Sequence, residues 1–120
     1  MTKEILEQLT NQEKVAKIKR NIGELSKSQR SVASVMQGFS ALHTASTTTG
    51  ALDAKTKELI ALAIAVAAQT DGCIALHMHD AMEAGASRTE INDTLSVAIL
   101  MGGNPSVMYA THVIEAMEQF

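Results

Sequence analysis

Three residues in the middle of the chain have the types and spacing to do chemistry: Glu58, Cys73 and His77. Cys73 falls in the first turn of a helix expected from about Gly72 to Ala84. Unpaired N–H groups and the positive end of the helix dipole lie there, and both favour a thiolate, the reactive form of a cysteine. His77 stands four residues on, so its imidazole shares a helix face with the thiol. A thiol with a base one turn away has the outline of a nucleophile–base pair. Glu58 belongs to the preceding helix and joins them only if the fold turns that helix back. A wholly apolar run follows it directly, and a carboxylate at the edge of a core must find a partner or take up a proton.

Each of these residues also has a plain packing role. A free cysteine is most often a small buried hydrophobe, a histidine is often a satisfied core residue, and a glutamate in a helix is usually solvated. Cys73 and His77 have the spacing that zinc ligands use, with Glu58 as a third. No second Cys/His pair accompanies them, so no metal is expected. His79 stands two positions from His77 and faces the other way. His43 and His112 carry no assigned role, although either could line a pocket from a neighbouring helix. Met78 and Met82 read as core or subunit-interface packing, and Gly102-Gly103 as a helix stop, not a phosphate loop.

The elements that must position these groups are two helices meeting at a polar turn. The first is expected from about Asp53 to Ala68, with Asp53 as its N-cap and Glu58 near its positive end. From Leu59 to Ala68 it is apolar on every face, as in a buried helix. That run falls well short of the ~20 residues a membrane span needs. In the turn Gln69-Thr70-Asp71-Gly72, Thr70 or Asp71 can cap the second helix, which stops at Gly85.

Other helices surround this pair. Residues 3–22 form one kinked or two short amphipathic helices, with Thr10 and Glu13 as a capping box and Gly23 as the end. Ser28 can cap a helix over about 29–46 that buries Val32, Val35, Met36, Phe39 and Leu42, followed by a loop to Gly50. Gly38 inside it suggests a close helix–helix approach. Ser87 and Glu90 form a capping box for a helix over 88–101, with Ile91, Leu95, Ala98 and Ile99 inward. Asn104 caps a last helix whose first turn holds Pro105, with Val107, Met108, His112, Val113, Met117 and Phe120 at helical spacing.

At 120 residues the chain is read as one domain, 1–120, with an N-terminal helical segment over 1–27. Apolar residues make up 46% and charged residues 19%, a globular balance. The fold class expected is all-α, about six helices around the central antiparallel pair. The net charge is −3, with signs interspersed. The one basic cluster, Lys14, Lys17, Lys19 and Arg20, reads as a solvated face, and Phe39, Tyr109 and Phe120 are too few aromatics to argue for nucleic acid. The N-terminus lacks the apolar core of a signal peptide. A single cysteine excludes an intrachain disulfide and fits a reducing compartment, so the protein is expected to be cytoplasmic, with no membrane partner.

The order Glu58, eleven residues, Thr70, two residues, Cys73, three residues, His77 resembles the signature of the carboxymuconolactone decarboxylase and alkylhydroperoxidase D superfamily. That signature is Glu, eleven residues, then Cys-x-x-Cys-x-x-x-His. KELIALAIAVAAQ before it, and EAGASRTEI and MGGNP after it, are similar too, so the resemblance runs from about Gly50 to the C-terminus. One position departs: the first cysteine of the pair is Thr70, so the dithiol cannot form within one chain. The resemblance implies an alkylhydroperoxidase D-like fold and a homotrimer or homohexamer. It makes Glu58, Cys73 and His77 the catalytic residues, with the histidine relaying protons between cysteine and glutamate.

Three functions follow. The first is a one-cysteine thiol peroxidase, an antioxidant protein that reduces a hydroperoxide and relies on an external thiol reductant. The second is a decarboxylase-type acid–base enzyme acting on a small carboxylated lactone or similar acid through His77 and Glu58. This branch does not depend on the cysteine pair, so the loss of one cysteine counts towards it. The third is a non-enzymatic oligomeric scaffold. None needs a bound cofactor.

Overall fold

The computed structural model describes residues 11–28 and 30–118, and within them the chain is six α-helices with no strand. In order these are α1 (Asn11–Ser28), α2 (Arg30–Thr47), α3 (Ala54–Ala67), α4 (Asp71–Glu83), α5 (Arg88–Gly102) and α6 (Asn104–Met117). The expected all-α class is observed. The expected capping box at Thr10, and the residues before it, lie outside the described residues, as does Phe120. No helix among the described residues is long and apolar enough to cross a membrane.

The two central helices are set by their ends. Asp53 caps α3, its Oδ1 accepting from the Thr56 N–H at 2.7 Å; the Thr56 side chain first, and then this amide, hold its carboxyl below the usual range. The turn to α4 needs one unusual backbone: Gln69 is left-handed (φ 60), the one positive-φ non-glycine among the described residues. Thr70 occupies the N-cap position of α4, but its hydroxyl donates back to the Ala65 carbonyl at 3.2 Å. The turn is therefore tied to α3, and the amides opening α4 receive no side-chain cap from Thr70.

The Ser87–Glu90 capping box forms as read: Glu90 N–H donates to Ser87 Oγ at 3.1 Å, and Ser87 N–H to Glu90 Oε1 at 2.9 Å. Lys55 approaches the same carboxylate at 2.8 Å and joins the start of α3 to the start of α5. The Lys55 ammonium first, and then the Ser87 amide, hold Glu90 below the ordinary carboxylate range.

The core is shared by α3, α4, α5 and α6. Leu62, Val66, Met78, Ile91 and Val113 are fully buried, and Leu95, Ala98, Ala110 and Ala116 fill between them. Each large apolar side chain sealed in this way contributes about 1.5–3 kcal/mol. Among the described residues of α1, Val15 alone is buried.

Several expectations are corrected. α1 runs through Gly23 to Ser28, so Gly23 does not end it and Ser28 is its last helical residue. α2 buries none of its residues: Val35, Phe39 and Leu42 are exposed, because this helix packs chiefly on α1 and barely on α3. For the same reason α3 is not buried all round; Ile60 is 44% and Ile64 62% exposed. On α6 the buried stripe is Ser106, Ala110, Val113 and Met117, whereas Val107 and Met108 are exposed. Asn104 is the first residue of α6, and Gly103 is the cap shared by both helices. Its φ 69, ψ −155 lie in a region essentially closed to side-chain-bearing residues.

Gly102 does more than stop a helix. A Cβ built on it would collide with Ser106 Oγ and come within 3.3 Å of the Ala67 Cα. Here the backbone of α5 meets the Ser106 side chain of α6 and the backbone at the end of α3. Gly102→Ala is expected to destabilise the fold by about 1–3 kcal/mol through overpacking. Thermal unfolding checks this; an unchanged midpoint would show that the contact relaxes freely.

Candidate active site

Glu58 is the fifth residue of α3, past the first turn, so the helix dipole adds little to its placement. Burial matters more. Glu58 is only 5% exposed and is the one buried charged residue among those described. Its Oε2 stands 2.8 Å from His77 Nδ1, across the α3–α4 pair. A carboxylate oxygen has no proton to give, so Nδ1 carries the hydrogen and donates it. Nε2 is then left with its lone pair as the basic nitrogen of the ring. The sequence could not place these two residues together, because they lie on different helices; the antiparallel packing of α3 and α4 does so.

Cys73 is the third residue of α4, in its first turn, and is exposed. It shares a helix with His77 one turn on. Among the described residues its thiol makes no hydrogen bond, to His77 or to any other group. The three expected site residues are therefore a bonded pair, Glu58 and His77, with a free thiol near the pair.

The other histidines have definite positions. His43 of α2 stacks on His77, ring centroids 6.4 Å apart and planes 23° from parallel. His79 Nδ1 lies 3.0 Å from Asp80 Oδ1, and His112 Nδ1 lies 2.9 Å from Asp71 Oδ1. His43, Glu58 and Asp80 bring one donor atom each within 4.8 Å of one another. Neither His43 nor Asp80 stands in a motif with Glu58, so the sequence offers no signal for that meeting beyond the i, i+3 spacing of His77 and Asp80.

A groove of about 390 Å³ opens beside the pair, walled by Phe39, Leu42, Ile60 and Ile64, with His43 and His77 on it. It is mostly apolar, with the two imidazoles, Lys57, Ser46 and Thr47 as its polar residues, the character of a small-molecule site. A larger groove of about 530 Å³ between α1 and α4 includes His79 but neither Glu58 nor His77.

An all-α chain with a buried carboxylate–imidazole pair and a thiol at the start of the same helix defines a small class of proteins. This chain belongs to the carboxymuconolactone decarboxylase family, whose model matches residues 23–116. A carboxymuconolactone decarboxylase family protein from Legionella pneumophila has a similar crystal structure, with 43% identity and a TM-score of 0.84 over 92% of this chain and 96% of that one. A Thermotoga maritima member of the family, described with a suggested part in an antioxidative response, is 31% identical, with a TM-score of 0.66 over 69% of this chain and 86% of that one. An uncharacterised protein of Cupriavidus necator is 36% identical over 101 residues, which are 84% of this chain and 87% of that one.

Proposed function

We propose that the protein is an alkylhydroperoxidase-like thiol peroxidase with one cysteine, Cys73, served by a His77–Glu58 proton relay. The observation that carries this reading is the 2.8 Å bond between the buried Glu58 and His77, on the helix that begins with the thiol. His77 Nε2 takes the Cys73 proton, and Glu58 stabilises the imidazolium that results. The thiolate sulfur attacks a hydroperoxide oxygen, an S–O bond forms and the O–O bond breaks. The leaving alkoxide takes the proton back from His77 as an alcohol, and Cys73 is left as a sulfenic acid. With threonine at position 70, an external thiol condenses with that sulfenic acid and releases water. A second external thiol cleaves the mixed disulfide and regenerates Cys73. The suggested antioxidative role of the Thermotoga maritima relative points in the same direction. The exposed apolar side chains of α2 and α3 supply surface that a homotrimer or homohexamer would cover.

One observation favours a second reading. The Glu58–His77 pair is complete without the thiol, which touches neither residue through a hydrogen bond. An acid–base enzyme of the decarboxylase type, acting on a small carboxylated lactone, needs that pair alone.

The deciding experiment is the rate of Cys73 modification by an organic hydroperoxide across pH, with the sulfenic acid trapped and weighed. Fast modification at pH 7 that slows in His77→Ala is the expected result. A thiol that is inert, or whose rate ignores His77, removes the peroxidase reading and leaves the acid–base pair.

A further inference from the structure

We propose that His43, Glu58 and Asp80 form a binding site for one divalent transition-metal ion, zinc or a metal of similar preference, between α2, α3 and α4. The three residues come from three different helices, yet their donor atoms lie within 4.8 Å of one another. Bonds of ~2.0–2.2 Å from a metal to imidazole nitrogen and carboxylate oxygen put ligands ~3–4 Å apart, so small side-chain rotations close the set. One imidazole and two carboxylates, with no thiolate, suit zinc, manganese or ferrous iron better than a soft ion such as cuprous copper.

Three further observations point to a cation. The first is charge. Two carboxylates share this small volume, and among the described residues neither is paired with a lysine or arginine. Lys57, on the same groove, gives its ammonium to the Thr48 carbonyl at 2.7 Å instead. The second is support from behind. His77 holds one oxygen of Glu58 at 2.8 Å, and His79 holds one oxygen of Asp80 at 3.0 Å. Outer hydrogen bonds of this kind orient carboxylate ligands on a metal. The third is an open oxygen. Glu58 is nine-tenths buried, yet its Oε1 has no hydrogen-bond partner among the described residues and is not sealed from solvent. A buried carboxylate with one oxygen anchored and the other free is prepared to receive a ligand. His43 is exposed, which leaves one side of the ion open to water or a small anion.

This site uses a different ligand set from Cys73 and His77, whose spacing alone matches zinc ligands, and it does not rest on the thiol reading. It does share Glu58 with His77, so an occupied site would compete with the proton relay.

The test is titration of the full chain with zinc alone by calorimetry, and with cobalt(II) alone by visible absorption. One ion per chain is expected, weakened at least ~10-fold by His43→Ala and by Asp80→Asn, and retained in Cys73→Ser and His112→Ala. His43 is exposed, so its variant keeps the question open to an answer even if Asp80→Asn fails to fold. Absence of saturable binding overturns the proposal, as does binding that survives His43→Ala unchanged. Loss of the ion in Cys73→Ser also overturns it, by placing the metal on the thiol.

Discussion

Cys73→Ser is expected to abolish hydroperoxide reduction, with a loss of about three orders of magnitude or more, as for removal of a nucleophile. Serine is close to cysteine in size, and position 73 is exposed at the start of α4, so the fold has little to lose. What disappears is the sulfur that accepts oxygen. A serine hydroxyl is scarcely ionised at neutral pH and cannot be oxidised to a sulfenic acid. The measurement is hydroperoxide consumption with a small dithiol as reductant, at matched protein concentration and matched helicity. Turnover that persists in the variant eliminates Cys73 as the nucleophile. In that event a carboxylated lactone becomes the substrate to try, because the acid–base reading leaves decarboxylation nearly intact in the same variant.

Glu58→Gln is expected to lower activity by about 10²–10⁴-fold, the usual size of a lost acid–base contribution. Glutamine fills the same volume, and its carbonyl oxygen can still accept from His77 Nδ1, so the ring keeps its orientation. It carries no charge and cannot stabilise an imidazolium. A relay role therefore shows as a fall in kcat with a nearly unchanged KM and an unfolding midpoint close to that of the parent. A purely structural Glu58 gives the opposite pattern: the midpoint falls, and the remaining activity follows the folded fraction. Both enzymatic readings require Glu58, whereas only one requires Cys73, so the two variants together separate them.

Much of this arrangement is legible in the sequence because local chemistry decides it. The Asp53 cap and the Ser87–Glu90 box depend on residues three apart, and both form. The inward positions of α5 follow from helical spacing within one element. Errors appear where a distant helix decides. The apolar stripe of α2 gives the right period but no hint that the helix lies mainly on α1, so Val35, Phe39 and Leu42 read as core and are not. That displacement also uncovers Ile60 and Ile64 of α3. Gly103 reads as a helix stop, which it is, but not as the N-cap of α6, because Asn104 is the better N-cap by residue type while the backbone demands a glycine one position earlier. At the site, the family spacing names Glu58 and His77, and packing joins them. His43 and Asp80 stand in no recognisable motif with Glu58; the α3–α4 packing brings Asp80 to it, and the slight contact of α2 with α3 brings His43.

The turn at Gln69 and Thr70 fixes the length of the ruler between Glu58 and His77. Each helix residue turns the chain by about 100° (3.6 residues per turn). Adding or removing one residue between the two helices would swing His77 a quarter-turn or more away from Glu58. Point changes elsewhere on α3 and α4 alter what surrounds the pair, but an insertion or deletion inside this span dissolves it. A chain that keeps the carboxylate–imidazole bond must therefore conserve a distance in sequence as strictly as it conserves the two side chains. The left-handed Gln69 and the Thr70 hydroxyl tied to Ala65 are the local devices that hold that count.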